Sequence, residues 1–379
     1  METVLHVITG LGLGGAESQL FHFVTSDTSR KHHVVSLMHE GVFGPRLKEH
    51  DIAVTCLHMP AGKISFAGMR QLYRLVRSMR PDYVQTWMYH ADLVGGLMAQ
   101  LAGARNIFWG LHNTNVDPSR TAWRTRFVVR LCALVSGFVP RRILSCSSAG
   151  VDVHAALGYR RDKLVVAHNG YDFEAFKPDE AARQQLRQQW GIGDDTVLLG
   201  TVGRYHPQKD HENLLQALAK AGDGLGDWRC VFAGTGLSAD NPWLMSSVEK
   251  YGLAEKVILL GPRPDIPDIM NAMDINVLPS AFGEAFPNVL VEAMATGVPC
   301  VTTDVGDSAV IVDEYGIVVP PSDADALATA IGQMASQKQD SAAWSSRKAS
   351  CRNFVTSRFS QEAMIQRYAS VWAGDIQHG

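Results

Sequence analysis

The chain has 379 residues, of which 46% are hydrophobic and 19% charged, and it carries a net charge of −3 at neutral pH. That length suits two domains with separate cores, and that composition excludes a disordered or collagen-like chain. The six cysteines (Cys56, Cys132, Cys146, Cys230, Cys300 and Cys351) form no C-x-x-C pair, no secretory leader opens the chain, and no apolar run reaches the ~18 residues that cross a bilayer, so a cytoplasmic protein without disulfides or a zinc site is expected.

The apolar run 4–8 reads as a buried strand, followed by the glycine-rich Thr9-Gly10-Leu11-Gly12-Leu13-Gly14-Gly15 and a helix from Ala16, the opening of a doubly wound α/β domain. Gly10, Gly12 and Gly15 fit the G-x-G-x-x-G fingerprint, with Glu40 after the second strand as the ribose acid, so an NAD(P)-dependent oxidoreductase is one reading. Another is a backbone wall at Gly14 and Gly15, lying against a ligand held mainly by the opposite domain; a tight turn for helix-on-sheet packing is compatible with both. Further strands are expected at 33–37, 53–57, 83–86, 107–111 and 143–145, with helices at 67–79, 91–102 and 123–135 between them. Such alternation builds a parallel sheet with helices on both faces.

Charge divides unevenly. Residues 1–165 hold 19 Lys and Arg against 11 Asp and Glu, whereas 166–379 hold 16 against 27, so the first half is suited to an anionic partner. The densest cluster, Arg120, Arg124, Arg126, Arg130, Arg141 and Arg142, is interleaved with Trp123, Phe127, Leu134 and Phe138. The stretch 120–142 thus fits an anionic membrane surface, and an amphipathic helix with solvated arginines accounts for it equally well. No nucleic-acid-binding motif accompanies it, so nucleic acid is not an expected partner.

Beyond the turns at Asn169-Gly170 and Lys177-Pro178 a second alternating series begins, with strands at 197–202, 229–233, 257–260, 275–278, 300–302 and 317–319. Its helices are expected at 212–220, 242–251, 266–273, 289–295 and 324–335. The domains are therefore 1–165 and 166–359, with a last helix within 360–379 crossing back to the first. Ligands of open α/β sheets sit beyond the carboxyl ends of the strands, which points to the cleft between the two sheets. Glu284-Ala285-Phe286-Pro287-Asn288-Val289-Leu290-Val291-Glu292 reads as a loop turning into a buried helix with Pro287 at its first position. The backbone N–H groups at Asn288 and Val289 would receive a phosphate, one carboxylate sugar hydroxyls and the other ribose hydroxyls. A first-turn acid and a solvated or capping acid are the plainer account of Glu284 and Glu292. Asp323 and Asp325 look like a metal-binding pair, but they stand at a helix start where capping explains them, so no metal is expected.

Four motifs in order carry a resemblance: Gly203-Arg204-Tyr205-His206-Pro207-Gln208-Lys209, then Gly234-Thr235-Gly236, then Gly261-Pro262-Arg263, then the segment 284–292. With the Gly14-Gly15 loop and the Asn169-Gly170 linker, this set resembles the family-4 retaining glycosyltransferases of the GT-B fold over nearly the whole chain. The resemblance implies two Rossmann-like domains, the first on the acceptor side and the second binding a nucleotide-sugar donor. It implies that Arg204 and Lys209 grip the donor diphosphate, that Glu284 holds the sugar hydroxyls, and that Glu292 takes the ribose. Phe286, Asn288 and Val289 would contribute backbone contacts, Arg263 and its loop would line the nucleobase, and Gly234 and Gly236 would let the nucleotide approach closely. His112, at a strand's carboxyl end, matches the family's cleft histidine. Two positions depart from the pattern: Asp210 stands where glycine is common, and Ala167-His168 where a Val-Pro pair is common.

The implied reaction moves a hexosyl or N-acetylhexosaminyl group from a UDP- or GDP-sugar to a hydroxyl of a glycan or lipid-linked acceptor, in surface polysaccharide or glycolipid assembly. A non-catalytic nucleotide-sugar binder is a further alternative. No carboxylate stands out as a nucleophile beneath the anomeric carbon, so a front-face route is expected, in which the leaving phosphate helps take the acceptor's proton. No cofactor is needed. The expected location is the cytoplasm, peripheral on the inner face of the membrane.

Overall fold

The computed structural model describes residues 1–60, 65–112 and 122–375. It comprises two α/β units: Met1–Tyr171 together with the chain's end from Gln361, and Asp172–Ser360.

The first unit runs β1 (Thr3–Ile8), α1 (Gly15–Ser26), β2 (Lys31–Ser36), α2 (Phe43–Glu49), β3 (Ala53–Cys56), α3 (Phe66–Met79), β4 (Tyr83–Trp87), α4 (Tyr89–Leu101), β5 (Ile107–Leu111), α5 (Trp123–Val135), β6 (Arg142–Ser145), α6 (Ser148–Ala156) and β7 (Leu164–Val166). Its strands form a parallel sheet in the order β3-β2-β1-β4-β5-β6-β7. Strands flanked by helices on both faces must be apolar on both, and Val4, Leu5, Val7 and Ile8 of β1 are fully buried. Ser65 and Ser147 cap α3 and α6, accepting from the N–H groups of Gly68 and Gly150.

The second unit holds α7 (Glu180–Gln189), β8 (Val197–Val202), α8 (His211–Ala221), β9 (Trp228–Ala233), α9 (Pro242–Lys250), β10 (Val257–Gly261), α10 (Ile266–Ala272), β11 (Ile275–Leu278), α11 (Asn288–Ala295), β12 (Cys300–Thr303), α12 (Ser308–Val312), β13 (Ile317–Val319), α13 (Ala324–Gln337) and α14 (Ser341–Arg358). Its parallel sheet is ordered β10-β9-β8-β11-β12-β13. Buried Asp274 ties the unit together: its carboxylate meets Arg183 at 2.6 Å, Arg187 at 3.3 Å and Lys338 at 3.0 Å, and accepts from the Leu198 N–H at 2.9 Å. Those cations keep its pKa low against the pull of burial.

The chain's last helix, α15 (Gln361–Ala373), packs within the first unit, where Met364, Tyr368, Val371 and Trp372 share a core with Leu20, Phe23 and Trp87. The first unit also extends past residue 165. β7 pairs with β6, and Gly170 is fixed by Gln19, whose Oε1 accepts its N–H at 3.2 Å, and by Gln361, which donates to its carbonyl at 3.1 Å. The structure adds α2, α6, α7, α12 and α14 to the expected helices. Among them α14 is so polar that its buried stripe is only Trp344, Cys351 and Val355.

Candidate functional site

The strand order of the second unit reverses between β8 and β11, and a crevice at such a switch point is where open sheets bind ligands. The loops that leave these two strands meet there. Ala281 N–H donates to the Gln208 carbonyl at 2.8 Å, Lys209 Nζ reaches Glu284 Oε1 at 2.6 Å, and Ser280 Oγ donates to the same oxygen at 2.7 Å. Both partners of the pair are largely sheltered, with side-chain exposures of 16% and 9%. Lys209 and Glu284 are therefore partners of one another. Arg204, in the same loop, is exposed and makes no ion pair among the described residues.

Asp210 occupies a left-handed backbone position, φ +47°, which explains why glycine suits this place. Its carboxylate is not loose charge beside Lys209. Oδ1 caps α8 through the Asn213 N–H at 3.3 Å, and Oδ2 accepts from Ser322 at 3.1 Å. The ring of His211 stacks beneath Tyr205 at 5.7 Å and is held neutral, its pKa pushed down to about 4 by burial and then by the Lys209 charge.

Four further expected ligand contacts, Gly234, Gly236, Arg263 and Phe286, have the following surroundings. Gly234, with φ +142°, would place a Cβ 1.7 Å from the Gly203 carbonyl oxygen, and Gly236 would place one 2.9 Å from the Tyr205 Cβ. These glycines make room for the neighbouring chain. The Arg263 guanidinium is engaged by Asp265 through Nε at 2.7 Å and through Nη2, which leaves main-chain atoms to line that loop. Phe286 is 7% exposed, and its ring packs edge-on against that of Phe359 with centroids 5.2 Å apart.

Helix α11 begins at Asn288, one residue later than proline preference suggests, with Pro287 as its cap and the Leu290 N–H turned back to the Pro287 carbonyl at 3.1 Å. Asn288 and Val289 form its first turn. Glu292 follows one turn on, half-buried, with burial raising its pKa to about 7. The loop that carries Glu284 is seated on Gly306, where a Cβ would meet the Glu284 carbonyl oxygen at 2.3 Å.

In the first unit His112 caps the end of β5 and stacks on Trp87, centroids 4.9 Å apart and planes 14° apart. Burial pushes its pKa down to about 4 against the opposing effect of a hydrogen bond with the Asn169 side chain. Behind the stack lies a chain of imidazoles that inspection of the sequence missed. The Trp87 indole N–H donates to His6 Nδ1 at 3.2 Å, so His6 carries its proton on Nε2 and donates to His32 Nδ1 at 2.9 Å. His32 Nε2 then donates to the Asp27 carbonyl at 3.2 Å. A histidine inside the apolar run of β1 was the one available signal.

Gly14 caps α1 and Gly15 opens it, both exposed. Glu40 is engaged by Lys48. Along α5 and just beyond it, Trp123, Phe127, Leu134 and Phe138 point outward, 56–79% exposed, among exposed Arg124, Arg130 and Arg141. Arg120 and Asn113 lie outside the described residues. Among the described residues, no helix is long and apolar enough to cross a membrane, and no three His, Cys, Asp or Glu side chains gather to hold a metal ion. Asp323 caps α13, accepting from the N–H groups of Asp325 and Ala326, and Asp325 pairs with Lys220. The six cysteines are free thiols.

Comparison with known proteins finds that residues 13–175 match the family described as Glycosyltransferase Family 4, and residues 196–337 the family described as Glycosyl transferases group 1. EpsF of Bacillus subtilis strain 168 is 26% identical over 313 residues, 79% of either chain. An Escherichia coli UDP-Gal:alpha-D-GlcNAc-diphosphoundecaprenol alpha-1,3-galactosyltransferase is 24% identical over 272 residues, 70% of either chain. The crystal structure of Anabaena Alr3699/HepE in complex with UDP superposes with a TM-score of 0.82 at 22% identity, covering 99% of this chain and 100% of that one.

Proposed function

The chain belongs to the family-4 glycosyltransferases of the GT-B fold, and on that premise we propose that it transfers a hexosyl or N-acetylhexosaminyl group, with retention, from a nucleotide-diphosphate sugar to a glycan or lipid-linked acceptor. This family membership takes the place of the oxidoreductase reading of the Gly10-Gly12-Gly15 loop. UDP is favoured over GDP because HepE binds it and the galactosyltransferase relative uses a UDP-sugar. Surface polysaccharide or glycolipid assembly is the process that the galactosyltransferase relative's lipid-linked acceptor supports.

The observation that carries the mechanism is the Lys209–Glu284–Ser280 cluster at the switch point beside the start of α11. An incoming diphosphate exchanges with Glu284 as the partner of Lys209, so the ammonium stays neutralised and the carboxylate is released to accept sugar hydroxyls. Arg204 adds a second cation from the rim, and the first-turn N–H groups of α11 add their dipole. As the glycosidic bond breaks, charge grows on the departing diphosphate, and these fixed groups stabilise it without a metal ion. Glu292 is suited to ribose hydroxyls as an acceptor that ligand binding draws into the ionised state. The leaving phosphate accepts the acceptor's proton on the front face, since Glu284, once released from Lys209, is committed to sugar hydroxyls and is not poised as a nucleophile. His112 contributes a neutral imidazole.

Lys209→Ala lowers kcat by about a hundredfold, equivalent to ~3 kcal/mol of barrier, with the melting temperature held within a few degrees. Near-normal turnover by that variant would overturn the assignment, and donor binding without any transfer by the wild type would leave only a nucleotide-sugar binder. Activity that survives chelators supports the metal-free route. The outward stripe of α5 is proposed to rest on an anionic membrane, and co-flotation with phosphatidylglycerol vesicles, lost in Phe127→Ser/Phe138→Ser, tests it.

A further inference from the structure

The strand order of the first unit also reverses, between β1 and β4, and a cavity of about 500 Å³ opens at that point. Its size is that of a small-molecule site, roughly 300–1,000 Å³. Its walls come from strand ends and from the starts of two helices: Leu37, Met38 and Met59 after β2 and β3, Leu93 and Val94 on α4, and Val128 on α5. A sugar requires several converging hydrogen-bonding groups, and the described residues of these walls offer few. Among the described residues, polar groups are confined to the Thr9 hydroxyl, buried without a hydrogen-bond partner, Thr125, half-buried His90, and exposed Arg124 at the rim. Two methionines in an apolar wall let it adapt to a flexible hydrocarbon.

The rim is continuous with the outward stripe of α5, because Trp123 and Phe127 both line the cavity and stand 70% and 56% exposed. An apolar chain can therefore pass along α5 into the cavity with little contact with water, and Arg124 stands where a phosphate on that chain would need a cation. We propose that this cavity seats the hydrocarbon segment adjoining the phosphate of a lipid-linked acceptor. The inference rests on the lipid-linked acceptor reading above, and it assigns to the first unit a hydrocarbon site that selects the acceptor's carrier.

Calorimetric titration of the full chain with farnesyl diphosphate tests it, with inorganic diphosphate and lysophosphatidylglycerol as the comparison arms. Saturable binding with a negative heat-capacity change is expected, and at least ~10-fold weaker binding of either comparison compound. Filling the cavity by Thr125→Trp, and independently by Met38→Trp, weakens farnesyl diphosphate at least ~10-fold, while UDP-sugars still raise the melting temperature. Equal binding of inorganic diphosphate, equal binding of the lysolipid, or unchanged binding by both filled variants that melt cooperatively would overturn the proposal. Absence of any nucleotide-sugar shift alongside intact farnesyl diphosphate binding would sink the donor reading and leave the cavity assignment standing. Transfer to a soluble acceptor without farnesyl diphosphate binding would do the reverse.

Discussion

Each unit has a glycine-rich loop after a sheet strand, and the two use glycine for opposite ends. In the loop after β1, a Cβ on Gly12 or Gly15 would meet open space, and one on Gly14 would meet only the movable carboxylate of Glu17. In the loop after β9, Gly234 and Gly236 have φ of +142° and +77°, and the missing Cβ atoms leave room for Gly203 and Tyr205. The first loop keeps a surface clear; the second allows two segments of chain to touch. The contrast extends to titratable groups. Both units bury neutral imidazoles, His6 and His112 in the first and His211 in the second, and the second also surrounds a buried carboxylate, Asp274, with three cations.

The largest effect should come from Gly234→Ala, which combines a strained backbone with a backbone clash and should cost about 3 kcal/mol or more in a urea titration. If that variant melts like the wild type, the second loop is not closed chain-on-chain. Next is His112. Its folded pKa of about 4 lies below the ordinary 6.5, so between these values the unfolded chain binds more protons and stability falls as pH drops from about 6.5 to about 4. Wild type should therefore lose on the order of 1–3 kcal/mol more than His112→Gln between pH 7 and pH 4.

Glu292 has the opposite sign. Its folded pKa of about 7 lies above 4.5, so the folded state binds more protons and stability falls as pH rises through that window. Glu292→Gln should gain on the order of 1–2 kcal/mol over wild type at pH 8, and the gain should vanish below pH 4.5. In wild type, donor affinity should rise with pH toward 7 if the ionised carboxylate is the ligand. The smallest effect on folding belongs to Gly15→Ala, within ~0.5 kcal/mol, yet the donor KM should rise if the first loop is a ligand-facing wall. An unchanged KM would reduce it to a helix start.

Most elements were legible because apolar runs and helical periodicity are local properties, and the boundaries of β8, β9, β11 and α5 differ from expectation by at most one residue. Polar helices such as α14 were not legible, because their faces are covered by neighbours rather than defined by their own composition. Glu284 and Glu292 were marked by the loop and helix start that carry them, and Arg204 and Lys209 by the resemblance of their motif to the family's. What each one faces was not. The ion pair of Lys209 joins residues 75 apart, and Trp87 receives His112 on its face and gives its N–H to His6, 81 residues away.

The sequence by itself determined the alternation of strand and helix, the two units and the chemical types gathered at the strand ends. Only the tertiary structure decided which of these groups are partnered, which glycines face chain and which face open space, and where an apolar cavity remains. The physical reason is that spacing along a chain encodes periodicity, whereas strand order brings β8 beside β11 and β1 beside β4, and contacts across a switch point have no local signature.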